Sequence, residues 1–209
     1  MVTKLQVYNL ALIQIKASTV VANEANEATR TMDAWWDTVV KGALEAGFFK
    51  FAMRSCKITY DPVIVPTFGL TKAFNKPDDW VKTYDMSLSE YFDPPHNNWI
   101  EENNLFFSDA NPLYLRYVSN STGYGLNLDS WTARFVKAVA SELAYRASPK
   151  AVGTSDAFNE KLMKQAMMDM SSAKTFEAMR DPPKRLAEGR WVSGRINGRG
   201  RLGGTNRGA

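Results

Sequence analysis

Six of the nine prolines in this 209-residue chain lie between positions 62 and 112, and their spacing excludes a long helix from that part of the sequence. Proline lacks the N–H that a helix interior needs, and its ring clashes with the preceding turn. The same region is rich in aromatic and β-branched residues, as in FFKFAMRSCKITYDPVIVPTFG. Such residues favour strands, so a β-rich segment is predicted in the middle of the chain.

Two helices are predicted before this segment, because apolar residues recur there at intervals of three and four. Asn23 is the predicted N-cap of the second helix, and Gly47 marks its end. The apolar positions are Leu5, Tyr8, Leu12 and Ile15 in the first helix and Met32, Trp36, Val39, Val40 and Ala43 in the second.

Two more helices are predicted after the β-rich segment. Asp129 is the predicted cap of the third helix, which should end at Pro149. The fourth should begin at Ser155 and stop before Pro182 and Pro183. The apolar positions are Trp131, Phe135, Val139 and Leu143 in the third helix and Phe158, Leu162, Ala166, Met170 and Ala173 in the fourth.

These elements predict an α+β protein that is mainly α. Residues 1–57 and 127–181 are expected to form a four-helix body, residues 58–126 a β-rich insertion, and residues 182–209 an extended Gly/Arg-rich C-terminal arm. Within the insertion, LFFSDANPLYLRYVSN predicts a hairpin with SDANP as its turn. Leu113, Leu115 and Tyr117 should share one face of its second strand.

Positive charge is concentrated in the arm. The chain carries a net charge of +4, yet residues 184–209 hold seven Lys or Arg against the single acid Glu188, so the rest is slightly negative. A uniformly basic domain would suggest nucleic-acid binding, whereas here the basicity belongs to a terminal segment of low complexity.

Cys56 and His96 are the only cysteine and histidine of the chain. These counts exclude an intrachain disulfide and a zinc site built from several Cys and His residues. No apolar run approaches the roughly 20 residues that a membrane span requires, so no membrane partner is expected.

One stretch of the arm, GRGRLG from Gly198 to Gly203, matches the dinucleotide-binding pattern G-x-G-x-x-G. That pattern works only between a strand and a helix whose N-terminus holds the pyrophosphate. The chain ends six residues later, so no cofactor is predicted.

Asp78, Asp79 and Asp85 could form a metal or acid–base cluster, but Pro-Asp-Asp is also ordinary turn chemistry. The turn is the favoured interpretation, and no metal site is predicted. His96 lies in the polar stretch DPPHNNW and is predicted to be a surface residue.

Six tryptophans raise the alternative of base stacking in a single-strand-binding protein. Most lie on apolar stripes or strand edges without interleaved Lys and Arg, which favours packing. Trp191 differs, because it lies in the arm outside any periodic element. The six are Trp35, Trp36, Trp80, Trp99, Trp131 and Trp191.

Taken in order, several stretches resemble the head-to-tail adaptor proteins of tailed bacteriophages, the group that includes the tail tubular protein A and tail accessory proteins. The stretches are GLTKAFNKPDDWVKTYDM, IEENNLFFSDANPLYLRYVSN, YGLNLDSWTARFVKAVASELAYRAS, LMKQAMMDMSSAKTFEA and GRWVSGR. The most specific part is NPLYLRYVSN followed by the helix that contains SELAYRA. The resemblance is one of order and spacing and involves no catalytic motif.

The resemblance implies a ring, usually of twelve copies, between the portal and the tail tube or nozzle, with genome DNA passing through its lumen. It implies no enzyme activity and a location in the virion neck, with assembly in the host cytoplasm. A neutral or mildly acidic body suits a channel in which DNA slides, because a basic wall would retain phosphates.

Two groups of residues are predicted to bind partners. In the arm, Trp191 is the apolar anchor, and glycines between the arginines let the backbone lie close to a partner. In the insertion, Arg116 and Tyr117 are predicted to contribute to assembly. The arm residues are Arg190, Trp191, Arg195, Arg199 and Arg201.

Two other interpretations of the sequence remain open. The arm could wrap nucleic acid, in which case affinity would fall steeply with salt. It could also remain free in solvent, because one aromatic anchor cannot offset the entropy of ordering the whole arm.

Overall fold

The structure is a computed structural model that describes residues 2–21, 27–67, 69–153 and 155–180. Within them, helices flank a region of short strands, and the protein is an α+β mixture. Met1–Ala178 forms one compact unit, and of the second, Met179–Ala209, only the first two residues are described. The elements are α1 Lys4–Gln14, α2 Glu27–Ala46, β1 Met53–Ile58, β2 Lys72–Asn75, β3 Trp80–Ser87, β4 Trp99–Glu102, β5 Leu105–Ser108, β6 Leu113–Ser119, α3 Ala133–Ala151 and α4 Asp156–Met179.

The strands form two antiparallel sheets of three. Sheet A has the order β1-β6-β3, and sheet B has the order β2-β5-β4. The last strand in the sequence, β6, is therefore the central strand of sheet A. Strand β1 begins at Met53, so the first strand starts before position 58, where the β-rich insertion is predicted to begin. The predicted domain limits themselves stay a prediction.

One core lies among the helices. Trp36 and Trp131 stack with ring centroids 6.0 Å apart, and Phe135 meets Trp131 edge to face at 4.9 Å. Val118 of β6 also belongs to this helix core, so sheet A is packed against the helices at that end. The apolar stripes predicted for α1, α2 and α3 are largely buried here, as the sequence pattern indicated.

A second core lies between the two sheets. Phe74 of β2 and Phe106 of β5 come from sheet B, and Met86, Leu113, Leu115 and Tyr117 come from sheet A. Leu113, Leu115 and Tyr117 alternate along β6, so the prediction that they share a face is confirmed. Because β6 contributes Val118 to the helix core and its odd-numbered residues to this sheet core, it connects the two.

The predicted hairpin is wrong. Strands β5 and β6 are adjacent in the sequence but pair in different sheets: β5 with β2 and β4, and β6 with β1 and β3. Period-two alternation identifies two strands that each bury one face, and it does not specify their hydrogen-bonding partners. Here the buried faces of the two strands meet across the sheet core, so the connection from Asp109 to Pro112 joins two layers.

Both predicted limits of α3 also need correction. Thr132 is the cap, its hydroxyl accepting from the Phe135 N–H, and Asp129 lies instead in the short 3₁₀ turn Leu128–Ser130. Pro149 is tolerated inside the helix, which continues to Ala151. Proline cannot donate to the Tyr145 carbonyl, and the Ser148 hydroxyl donates to that carbonyl instead.

The other helix limits fit the sequence pattern where the structure describes them. Thr3 caps α1 in a capping box with Gln6, and α4 begins one residue after Ser155. Asn23, Pro182, Pro183 and the whole arm lie outside the described residues.

Candidate interaction surface

An exposed apolar surface covers one side of the β-rich region. Val63 and Val65, in the loop between β1 and β2, are 86% and 82% exposed. The loop lies against sheet B and encloses an open cavity of about 220 Å³ with Ile100 of β4 and Phe107 of β5. We call this surface the insertion patch; its residues are Val63, Ile64, Val65, Pro66, Leu70, Ile100 and Phe107.

The pleat of sheet B explains why apolar side chains face outward here. Phe74 pairs with Phe106 and both point into the sheet core, so their neighbours Ala73 and Phe107 point to the opposite face. Ile100 is the partner of Phe107 in β4 and lies on that same outer face. Sheet B therefore carries apolar side chains on both faces, beside Asn75 and Glu102 on the outer one, and sheet A covers only the inner face.

Two aspartates hold the loop of the patch in place. The Asp61 carboxylate accepts from the Val63 N–H and the Asn75 amide, both at 2.9 Å, and the Asp61 N–H donates to the Ala73 carbonyl at 2.8 Å. At the other end, the Asp109 carboxylate accepts from the N–H and the hydroxyl of Thr71. These hydrogen bonds from Thr71 hold the pKa of Asp109 below its usual range. The patch is thus preorganised, which lowers the entropic cost of binding.

A partly buried polar cluster lies at sheet A, outside the insertion patch. The Asp79 carboxylate accepts from the Arg54 guanidinium at 2.8 Å, from the Tyr117 hydroxyl at 2.8 Å and from the Ser119 hydroxyl. Burial alone would raise the pKa of Asp79, but these three donors outweigh it and hold the pKa below its usual range. The cluster joins β1, β6 and the turn just before β3.

Asp79 is the residue whose role the sequence did not reveal. The prediction of a turn at Asp78 and Asp79 is confirmed, but the Asp79 side chain is also the common acceptor of this cluster. Turn chemistry explained the residue type, so nothing in the sequence called for a second role. No group of acidic, Cys or His side chains in the described residues is arranged to hold a metal ion.

Arg116 and Tyr117, both predicted to contribute to assembly, lie on opposite faces of β6. Tyr117 is fully buried, and burial together with its hydrogen bond to Asp79 raises its pKa. Arg116 is half-buried, donates to the Ser55 hydroxyl at 3.3 Å and lies over the Phe92 ring at 4.2 Å. Only Arg116 is accessible to a partner in this structure, and the role of both residues in assembly stays a prediction.

His96 is not the simple surface residue that its polar neighbours predicted. The ring is half-buried, and Nε2 lies 2.9 Å from the hydroxyl of the fully buried Ser108 in sheet B. The main-chain N–H of His96 donates to the Met86 carbonyl in sheet A at 2.7 Å. His96 therefore links the two sheets at one edge of the sheet core.

The remaining predicted site residues cannot be placed on this surface. Arg190, Trp191, Arg195, Arg199 and Arg201 lie outside the described residues, as does GRGRLG. The other tryptophans are buried or half-buried, and Trp36 and Trp131 belong to the helix core. None of the helices in the described ranges combines the length and hydrophobicity of a membrane span.

The sequence carries a signal for the insertion patch. PVIVP places an apolar run between two prolines, where neither a helix nor a paired central strand is possible. Such a run has to be exposed on a loop or covered by something else.

A scan of protein-family models and a search of curated proteins both gave no match to this chain.

Proposed function

We propose that this protein is a structural, non-enzymatic head-to-tail adaptor of a tailed bacteriophage. In this role it forms a ring, of about twelve copies, between the portal and the tail tube or nozzle, with genome DNA passing through the lumen without sequence-specific binding. The sequence resemblance is the basis for proposing this class of protein. The structural observation that carries it is the insertion patch.

A preorganised apolar surface of this kind suits permanent assembly. Soluble monomers rarely expose large contiguous apolar patches, and such patches commonly mark interaction sites. The apolar side chains here lie on a loop held at both ends and on an outer sheet face, so a partner can bind without reordering them. In the proposed ring this surface contacts a neighbouring copy or the tail.

The helices would form the body of the ring. Under this proposal α1–α4 act as a four-helix body, α4 resting on α3 through Asp169, which accepts from the Ser141 hydroxyl and pairs with Lys137 at 2.9 Å. The arm, with Trp191, would contact the portal or a neighbouring subunit. The protein would be assembled in the host cytoplasm and remain in the neck of the virion.

The test is binding to the portal ring encoded by the same phage. Mixed with that ring, the chain should form a second ring visible by electron microscopy, with a mass that gives the copy number. Failure to bind the portal ring under conditions where tails still attach to heads would contradict the proposal.

The insertion patch is tested with Val65→Asp. The side chain is exposed, so the fold should persist, while a carboxylate in the apolar contact should reduce ring formation or tail attachment by tenfold or more. Val152→Asp is the matched control, because Val152 is 47% exposed and lies away from the patch at the end of α3. Equal assembly by the two variants would remove the patch from the interface.

A further inference from the structure

A second concave surface lies among the helices. A groove of about 490 Å³ is lined by α2, α3 and α4, with Val39, Ala43 and Ala166 among its apolar residues. Met167 and Met170 of α4 also line it, and Met167 is 62% exposed. Methionine is flexible and adapts to the shape of a partner, so this floor suits an inserted side chain.

Two basic side chains line this groove, Arg146 and Lys174. Arg146 of α3 pairs with Glu142 of the same helix at 2.9 Å, so these two charges largely cancel. Lys174 of α4 lines the groove, is exposed, and forms no ion pair with any residue in the described ranges. The helical groove therefore offers an apolar floor with one uncompensated positive charge.

A protruding loop of the same chain has the opposite character. Residues 88–93 connect β3 to the segment before β4, and they carry Leu88, which is half-exposed, and Tyr91, which is 81% exposed. Glu90 and Asp93 flank Tyr91, are exposed, and form no ion pair among the described residues. The loop thus presents an apolar tip between two negative charges.

This loop is held in a fixed form. The buried Ser87 hydroxyl donates to the Pro94 carbonyl at 2.8 Å and accepts from the Ser89 N–H at 3.1 Å, which ties the two ends together. The Phe92 ring lies under the Arg116 guanidinium, which anchors the loop to β6. Because Phe92 is turned towards the protein, Tyr91 is left as the projecting aromatic.

We propose that the Tyr91 loop of one copy inserts into the helical groove of a neighbouring copy, with Tyr91 on the methionine floor and Glu90 or Asp93 facing Lys174. This inference rests on the proposed function, because it names the contact between successive subunits of the ring. Loop and groove are different surfaces of the subunit, so the contact is heterologous. A heterologous contact closes into a ring when the rotation between subunits permits.

Disulfide trapping in the full-length chain tests the contact. In a Cys56→Ser background, one protein carries Tyr91→Cys and a second carries Met167→Cys, and both sites are exposed enough to tolerate the change. Both surfaces are already formed in a single subunit, so even a transient contact is trapped under oxidation at high concentration. The mixture should give a crosslinked dimer, and each protein alone should give at most a trace.

The control pairs Tyr91→Cys with Ile13→Cys, since Ile13 of α1 is 60% exposed, close to the exposure of Met167, and lines neither the helical groove nor the insertion patch. A mixture with Met167→Cys that crosslinks no faster than this control overturns the inference.

A charge exchange gives a second measurement. Lys174→Glu in the Met167→Cys protein, or Glu90→Lys in the Tyr91→Cys protein, should alone slow trapping several-fold. Mixing the two charge-changed proteins should restore the trapping rate. If neither Glu90→Lys nor Asp93→Lys, tested in this way, gives rescue, the assigned orientation is rejected.

The two proposals fail in different ways. Rings on the portal without the 91–167 crosslink would reject this contact and leave the adaptor function in place. Crosslinking by a chain that never binds a portal would keep the contact and reject the adaptor function.

Discussion

At the scale of single residues, Asp79 shows how one carboxylate organises three strands. It accepts from Arg54, Tyr117 and Ser119, which belong to β1 and β6, while lying itself in the turn just before β3. The Asp79 carbonyl also accepts from the Asn120 N–H at 3.0 Å, so the main chain reinforces the side-chain cluster. A neutral amide could satisfy only part of this arrangement, because its NH₂ group would face donors.

Asp79→Asn should therefore lower the free energy of unfolding by about 2–4 kcal/mol at neutral pH, through lost charge-assisted hydrogen bonds. The folded-state pKa of Asp79 is lowered, so its contribution is present above the unfolded-state pKa of about 3.9 and is lost as pH falls through the lower folded value. Urea unfolding at pH 7 and pH 3 should show a smaller acid loss for the variant than for the wild type.

Asp78→Asn is the matched control for this measurement. Asp78 is the exposed neighbour and makes no hydrogen bond or ion pair described for the chain, so its replacement should leave stability and its pH dependence near the wild-type values. An acid loss in Asp79→Asn as large as that of the wild type would show that the cluster does not depend on the Asp79 charge.

At the scale of elements, Ser108 and His96 connect strands that do not pair with each other. The Ser108 hydroxyl of β5 contacts His96 Nε2 and the Asn98 carbonyl, and the His96 main chain bonds to β3. Ser108→Ala should lower the free energy of unfolding by about 1–2 kcal/mol, because the half-buried His96 ring and the Asn98 carbonyl lose their hydrogen bonds to the fully buried hydroxyl. Ser171→Ala, on the exposed side of α4, should change it by less than about 0.5 kcal/mol.

A thermal or urea unfolding series on these two variants gives the comparison. If Ser108→Ala is as stable as Ser171→Ala, the contact between His96 and Ser108 does not help to hold sheet B on sheet A.

The elements also show what a sequence pattern can and cannot predict. The stripe of Phe135, Val139 and Leu143 identified α3 because a helix places such residues on one face whatever they contact, whereas Trp131 lies just before the helix. The pairing of β5 and β6 depended on which sheet each strand joins, and alternation is the same in both cases. For the same reason the insertion patch was missed: whether an apolar loop is covered depends on tertiary packing.

At the scale of the whole molecule, the core residues found in the described ranges all lie within Met1–Ala178. The last residue of the helix core is Ala173, and the sheet core ends at Tyr117. A chain that stops after Asp181 should therefore keep its helical circular dichroism and melt within a few degrees of the full chain.

This shortened chain is slightly negative, so it should bind duplex DNA no better than other mildly acidic proteins at moderate salt.

Titration of labelled duplex DNA with both forms provides the measurement. Salt-sensitive binding in the micromolar range by the shortened chain would contradict the expected neutral channel. Such binding by the full chain alone would instead support the nucleic-acid interpretation of the arm.

The central position of β6 has a consequence for the order of events during synthesis. The N-terminal part of a chain leaves the ribosome first, and contacts between distant residues form slowly. Strands β1 and β3 are both made before β6, yet each pairs with β6 in sheet A. Until Ser119 has emerged, neither has its central partner, and their exposed edges can pair with other nascent chains. We therefore expect chains stalled before Leu113 to aggregate more readily than chains stalled after β6 has emerged.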